Sequence, residues 1–72
     1  MVDMKVGDFI IQKRETTVIL GRILKIKGDR LDIRVLKTNY NNWMDIIVNF
    51  GVDYTEEFYK TITNEEAMLE LL

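Results

Sequence analysis

The 72-residue sequence contains no Cys, His, Ser or Pro, and only one Ala, Ala67. Without Cys there can be no disulfide and no thiolate metal ligand, and without His the commonest transition-metal ligand is missing as well. The same absences remove every Ser–His and Cys–His nucleophilic arrangement. Thr or Lys nucleophiles and carboxylate pairs remain, but Asp29 and Asp32 flank a turn signal, and Glu56-Glu57 and Glu65-Glu66 read as solvated pairs without a distinctive spacing. The expected role is therefore not enzymatic. Long hydrophobic runs are also lacking: Val18-Ile19-Leu20 and Ile46-Ile47-Val48 fall far short of the ~20 residues that span a bilayer. The opening Met1-Val2-Asp3-Met4-Lys5 carries charge before any apolar stretch and does not resemble a secretory signal, so the cytoplasm is the expected compartment and no membrane partner is expected. Gly7, Gly21, Gly28 and Gly51 make neither a phosphate-binding loop nor a dinucleotide fingerprint. The oxygens of Asn39, Asn41, Asn42 and Asp45 miss the EF-hand pattern. No metal and no cofactor is expected.

What is present is a 47% hydrophobic chain with enough apolar residues for one core. A chain of this size buries only ~60% of the surface its unfolded form exposes, so a homo-oligomeric interface would have apolar surface left to cover. Abundant Ile, Lys, Asn and Asp fit an AT-rich genome, such as that of a low-GC bacterium or its phage. The net charge of −2 conceals a division along the chain. Residues 1–37 hold nine Lys/Arg against five Asp/Glu, whereas residues 38–72 hold Lys60 alone against seven acids. Either the acidic half folds beside the basic half and cancels its field, or the surface keeps a basic face for anions and an acidic face for a basic partner.

Hydrophobic patterning predicts a mainly β fold. A first strand is expected over 8–13, and a second, longer one over 17–27 whose alternation changes phase near Gly21-Arg22, as a bend or bulge would require. Lys27-Gly28-Asp29-Arg30 is a two-residue hairpin signal with Gly28 placed for the positive φ of a type II′ turn. Leu31, Ile33 and Val35 then alternate with Asp32, Arg34 and Leu36 in a third strand. After an Asn-rich loop, a fourth strand is expected from Trp43 to Phe50, with Met44, Ile46 and Val48 on one face and Trp43, Asp45 and Ile47 on the other. Residues 52–57 are ambiguous between a helix start at Asp53 and a turn; β propensity in Phe58-Tyr59-Lys60-Thr61-Ile62 favours a turn followed by a fifth strand. Thr63 and Glu66 fit a capping box opening a C-terminal helix, with Met68, Leu71 and Leu72 on one face for docking. So short a helix cannot stand alone in water, and the open end of its own barrel is its expected seat, with another subunit or a partner as the alternative. One domain, 1–72, is expected, with 5–62 forming the β part and 63–72 the helix.

This order of elements, with the words Val6-Gly7-Asp8-Phe9-Ile10 and Gly21-Arg22-Ile23-Leu24-Lys25-Ile26-Lys27-Gly28-Asp29, resembles SH3-like small barrels of the KOW and Tudor-like branch over residues 5–50. The resemblance implies a five-stranded SH3-like barrel and a binding role, since such barrels commonly engage RNA, ribosomes, polymerases or peptide tails through loops and a sheet edge. An aromatic cage of the methyl-lysine-reading kind is not expected, because nothing in the sequence brings Tyr40, Trp43 and Tyr54 together.

The binding residues predicted from the sequence are Arg22, Lys25, Lys27, Arg30, Arg34 and Lys37 on the bent hairpin, with Tyr40 and Trp43 beside them. The basic side chains would follow a phosphate backbone while Tyr40 or Trp43 stacked a base. Against this, the same cations could form a solvated, ion-paired strand face, and a pI near 5.0 opposes non-specific nucleic-acid binding. Trp43, the only Trp, is either the largest piece of core or a surface anchor. The expectation is a non-catalytic binding module for a protein partner, an inhibitor or accessory protein. The alternative is a nucleic-acid or nucleotide binder, including a homo-oligomer that sequesters its ligand between subunits.

Overall fold

A computed structural model describes residues 4–72. Residues 1–3, which begin the charged leader, lie outside the described residues. The elements in chain order are β1 (Phe9–Arg14), β2 (Thr17–Lys27), β3 (Arg30–Thr38), a 3₁₀ turn (Asn41–Trp43), β4 (Ile47–Gly51), α1 (Val52–Phe58), β5 (Lys60–Ile62) and α2 (Asn64–Leu71). The five strands form one antiparallel sheet in the order β4-β3-β2-β1-β5. Among the described residues no helix is long and apolar enough to cross a membrane.

The sheet has two unequal faces. Ile10, Ile19, Ile23, Leu31, Ile33 and Val35 turn inward with Tyr59 to make the main core, which Trp43, Val48, Phe50, Val52 and Phe58 extend. The alternation of Leu31, Ile33 and Val35 in the sequence is the inner face of β3. On the outer face a smaller cluster of Phe9, Ile11 and Leu20 is capped by Ala67 of α2, with Leu36 and Ile62 at its margin.

The phase change in β2 is real. The β2–β3 register slips once between Leu20 and Gly21 and again between Ile23 and Lys25. Each slip leaves one residue unpaired and bends the strand, as bulges do. The hairpin also forms as expected: Gly28 has φ of 59° while Asp29 is not among the residues with positive φ, the combination of a type II′ turn.

Three expectations are corrected. The fourth strand begins at Ile47, because Asp45 takes a left-handed φ of 64° and interrupts the extended run, while Trp43 belongs to the preceding turn. Residues 52–58 are a helix: Val52 N–H donates to the Asp29 carbonyl at 2.8 Å, and the Thr55 hydroxyl, itself buried, donates to the Gly51 carbonyl at 2.8 Å. Two anchors outweigh the local β propensity. The fifth strand survives as Lys60–Ile62.

The third correction concerns α2. Its capping box is present, with Glu66 N–H donating to Thr63 Oγ1 at 3.1 Å and Thr63 N–H donating to Glu66 Oε1 at 3.2 Å. However, it lies on the outer sheet face and buries Ala67, while Met68, Leu71 and Leu72 remain exposed. On the side facing the sheet Ala67 packs with Phe9, Ile11 and Leu20, while Lys13 meets Glu70 at 2.9 Å and the Lys37 ammonium donates to the Glu70 backbone carbonyl.

Candidate functional site

The loop after β3 is tied down by its own polar residues. Asn39 accepts from Val18 N–H at 3.1 Å and donates to the Thr16 carbonyl, so one side chain fastens it to the start of β2. Tyr40 N–H donates to Thr38 Oγ1 at 3.1 Å, the Tyr40 and Thr17 hydroxyls meet at 3.0 Å, and Trp43 N–H closes the turn on the Tyr40 carbonyl at 3.0 Å. These bonds hold Tyr40 and Trp43 over the inner sheet face. From the other side, α1 brings Tyr54.

Between them lies an open cleft of about 760 Å³, lined by Gln12, Thr17, Ile19, Asn39, Tyr40, Asn42, Trp43 and Tyr54. Its aromatic wall continues into the core. Tyr40 lies 6.2 Å from Trp43, Trp43 is 6.3 Å from Phe50, and Phe50 is 5.2 Å from Tyr54 in an edge-on arrangement. Tyr40 and Tyr54 are nearly half exposed, at 45% and 46%, so their rings are open to a ligand. Trp43 packs on the main core, as one of the two roles left open by the sequence requires, and also lines the cleft. Tyr40, Trp43 and Tyr54 border one open cavity, with Phe50 standing between Trp43 and Tyr54.

Among the described residues no ionisable acid or base lines the cleft, apart from the tyrosine hydroxyls. The helix that carries Tyr54 is strongly acidic, with Asp53, Glu56 and Glu57 exposed and no basic residue. Next to Tyr54, Tyr59 is 5% exposed and its hydroxyl has no hydrogen-bond partner among the described residues. Burial, with smaller contributions from Tyr54 and Tyr40, pushes that phenol well above its ordinary range, so it stays protonated.

The predicted basic residues lie elsewhere. Cross-strand pairing places Arg22 opposite Arg34, Lys25 opposite Asp32 and Lys27 opposite Arg30, all on the outer face, with Lys37 beside Leu20. The structure thus brings the six cations onto one side but separates them from Tyr40 and Trp43, which face the other. Several are engaged within the chain. Arg34 pairs with Asp45 at 2.8 Å, Arg30 binds Asn49, and Arg22 lies over the Phe9 ring at 5.2 Å while donating to the Gly7 carbonyl. Among the described residues Lys25 and Lys27 make no salt bridge. They border a small pocket with Arg30, Asp32 and Asn49.

Gln12, Thr17, Ile19, Asn39, Asn42 and Tyr54 line the cleft without having been predicted as binding residues from the sequence. For Tyr54 a signal existed: the Asp53–Glu56 spacing of a helix start puts Tyr54 and Phe58 one turn apart, and their rings lie 5.0 Å apart. Comparison with protein-family models, curated proteins and solved structures finds no match to this chain.

Proposed function

We propose that this chain is a non-catalytic binding module whose aromatic cleft holds a basic segment of a protein partner. The observation that carries the reading is the convergence of Tyr40, Trp43 and Tyr54 on an open cleft without a cationic lining residue, beside an acidic helix. Ring faces attract Lys or Arg side chains by roughly 0.5–2 kcal/mol each, more as the cation is desolvated. The acids of α1 add longer-range attraction that salt screens. Asn39 bonds to the backbone and Tyr40 bonds to Thr17, while Gln12 and Asn42 place amide groups beside the rings, where they suit the backbone of a bound segment.

The fold we assign is an SH3-like barrel. Support comes from the strand order, the two slips that bend β2, and the Phe50–Tyr59 ring pair at 5.9 Å, which joins β4 at one sheet edge to the residue preceding β5 at the other. The module would act in the cytoplasm as an inhibitor or accessory protein.

Trp43 provides the assay, being the only Trp. Titration with Lys- and Arg-containing peptides is expected to shift its emission, acidic peptides are expected to leave it unchanged, and Tyr54→Ala is expected to weaken the response about tenfold, equivalent to about 1.4 kcal/mol. Basic peptides that produce no change would overturn the reading. A second reading, nucleic-acid or nucleotide binding, draws on the Lys25, Lys27 and Arg30 pocket of the outer face. Its test is fluorescence anisotropy with labelled RNA and DNA at low salt, where phosphate contacts are strongest. A Lys25→Glu-sensitive signal there would favour it over the cleft.

A further inference from the structure

On the outer face, α2 presents an apolar surface that the described residues leave uncovered. Leu69 is 71% exposed and Met68 54%, with Leu72 beyond them, although a helix this short depends on packing for its stability. Alongside α2 runs a groove of about 420 Å³, with Phe9, Leu24 and Leu36 among the sheet residues that line it and Met68 and Leu71 on its helix wall. Two of these side chains are displayed by the register slips. Leu24 and Leu36 are the residues left without a cross-strand partner in β2 and β3.

The charges beside these two features are opposite. Glu65 and Glu66 stand exposed on α2 next to the apolar stripe. Arg22 and Arg34 border the groove, and Lys25 and Lys27 follow on the same sheet face. Arg34 is neutralised by Asp45, while Lys25 and Lys27 make no salt bridge among the described residues. One molecule therefore carries both an apolar helix flanked by acids and an apolar groove flanked by cations. That is the self-complementarity a two-fold interface requires, because each copy must supply both halves of the contact.

We infer that a second copy of this chain covers this face, with α2 of each protomer seated on the groove and basic outer sheet of its partner. Size supports including the sheet. A stable interface takes about 800 Å² from each partner, a substantial part of the 5084 Å² exposed here and more than a two-turn helix offers. The helix must therefore rest on strands, and the strands beside it are the basic ones. This inference does not rest on the cleft reading, since the cleft lies on the opposite side of the sheet.

Sedimentation equilibrium across a range of concentrations, with native mass spectrometry, tests it. The wild-type chain is expected to associate to a dimer, more strongly at low salt. Leu69→Glu on the helix and Leu24→Glu in the groove are each expected to weaken association at least tenfold while leaving the circular-dichroism spectrum unchanged. Mixing the two variants, one labelled with nitrogen-15, restores one intact helix-in-groove contact, so a mixed dimer is expected to outnumber either variant's homodimer. A wild-type chain that stays monomeric throughout overturns the inference. So does a dimer that neither substitution weakens, or a mixture that forms no excess of mixed dimer.

Discussion

Gly21 sits where β2 bends, and its missing side chain makes room for the strand beside it. A Cβ there would lie 2.5 Å from Ile33 Cγ2 and 3.1 Å from the Arg34 carbonyl oxygen. Gly21→Ala is therefore expected to destabilise the fold by about 1–3 kcal/mol through overpacking, measured by urea unfolding. At Tyr59 the expectation is reversed. Its hydroxyl is buried without a partner, and such a group costs about 1–3 kcal/mol. Tyr59→Phe keeps the ring against Phe50 and Tyr54 and should leave stability unchanged or raise it by about 1 kcal/mol in the same assay. A clear loss would show that the hydroxyl finds a partner in solution. In the sequence, the phase change pointed to Gly21; nothing pointed to Tyr59, because an unsatisfied hydroxyl is defined by its surroundings.

At the scale of the element, α2 docks by a face other than its hydrophobic stripe. Its side chains at i, i+3 and i+4 suggested one packing face, yet Ala67 is the residue buried against the sheet while Met68 stays exposed, and Glu70 meets Lys13 beside that contact. The hydrogen bond from Lys13, aided by the charges of Lys13 and Lys37, holds the Glu70 carboxyl below the ordinary carboxylate range, against a smaller opposing effect of burial. A folded-state pKa below the unfolded one stabilises the fold fully only above the unfolded value of about 4.3, and that contribution is lost as pH falls through the folded value. Acidification below about pH 4 is thus expected to loosen α2 before the sheet, seen as early hydrogen exchange at Ala67 and Met68. Glu70→Gln should abolish that pH dependence and show the loosened helix already at neutral pH. The α1 helix teaches the complementary lesson. Its start is set by hydrogen bonds to Asp29 and Gly51, the first of which a local reading of this segment could not supply.

For the whole molecule, the sheet separates two surfaces that the sequence had merged. Tyr40 and Trp43 turn inward with Tyr54, while Arg22, Lys25, Lys27, Arg30, Arg34 and Lys37 turn outward. The two halves of unlike charge do meet, through Lys13–Glu70 and Arg34–Asp45, yet leave Lys25 and Lys27 outside those pairs. Peptide binding and self-association should therefore be independent. Tyr54→Ala is expected to leave the sedimentation profile unchanged, and Leu69→Glu to leave the Trp43 titration unchanged. Cross-effects in either direction would mean that the two faces communicate through the sheet.

The sequence by itself determined what lies within reach of a few neighbouring residues. These are the four consecutive strands in outline, the Gly28-Asp29 hairpin, the bend near Gly21 and the Thr63–Glu66 cap. Each is written in period-two alternation, in a positive φ suited to glycine or in a three-residue spacing, all of them local physics. Only the tertiary structure decided that residues 52–58 coil, that α2 lies outside the sheet, and that Tyr40, Trp43 and Tyr54 share a cleft. Those outcomes depend on bonds and packing between residues far apart in the chain, such as Val52 with Asp29 and Ala67 with Phe9, Ile11 and Leu20, which local preferences worth only fractions of a kcal/mol per residue do not specify.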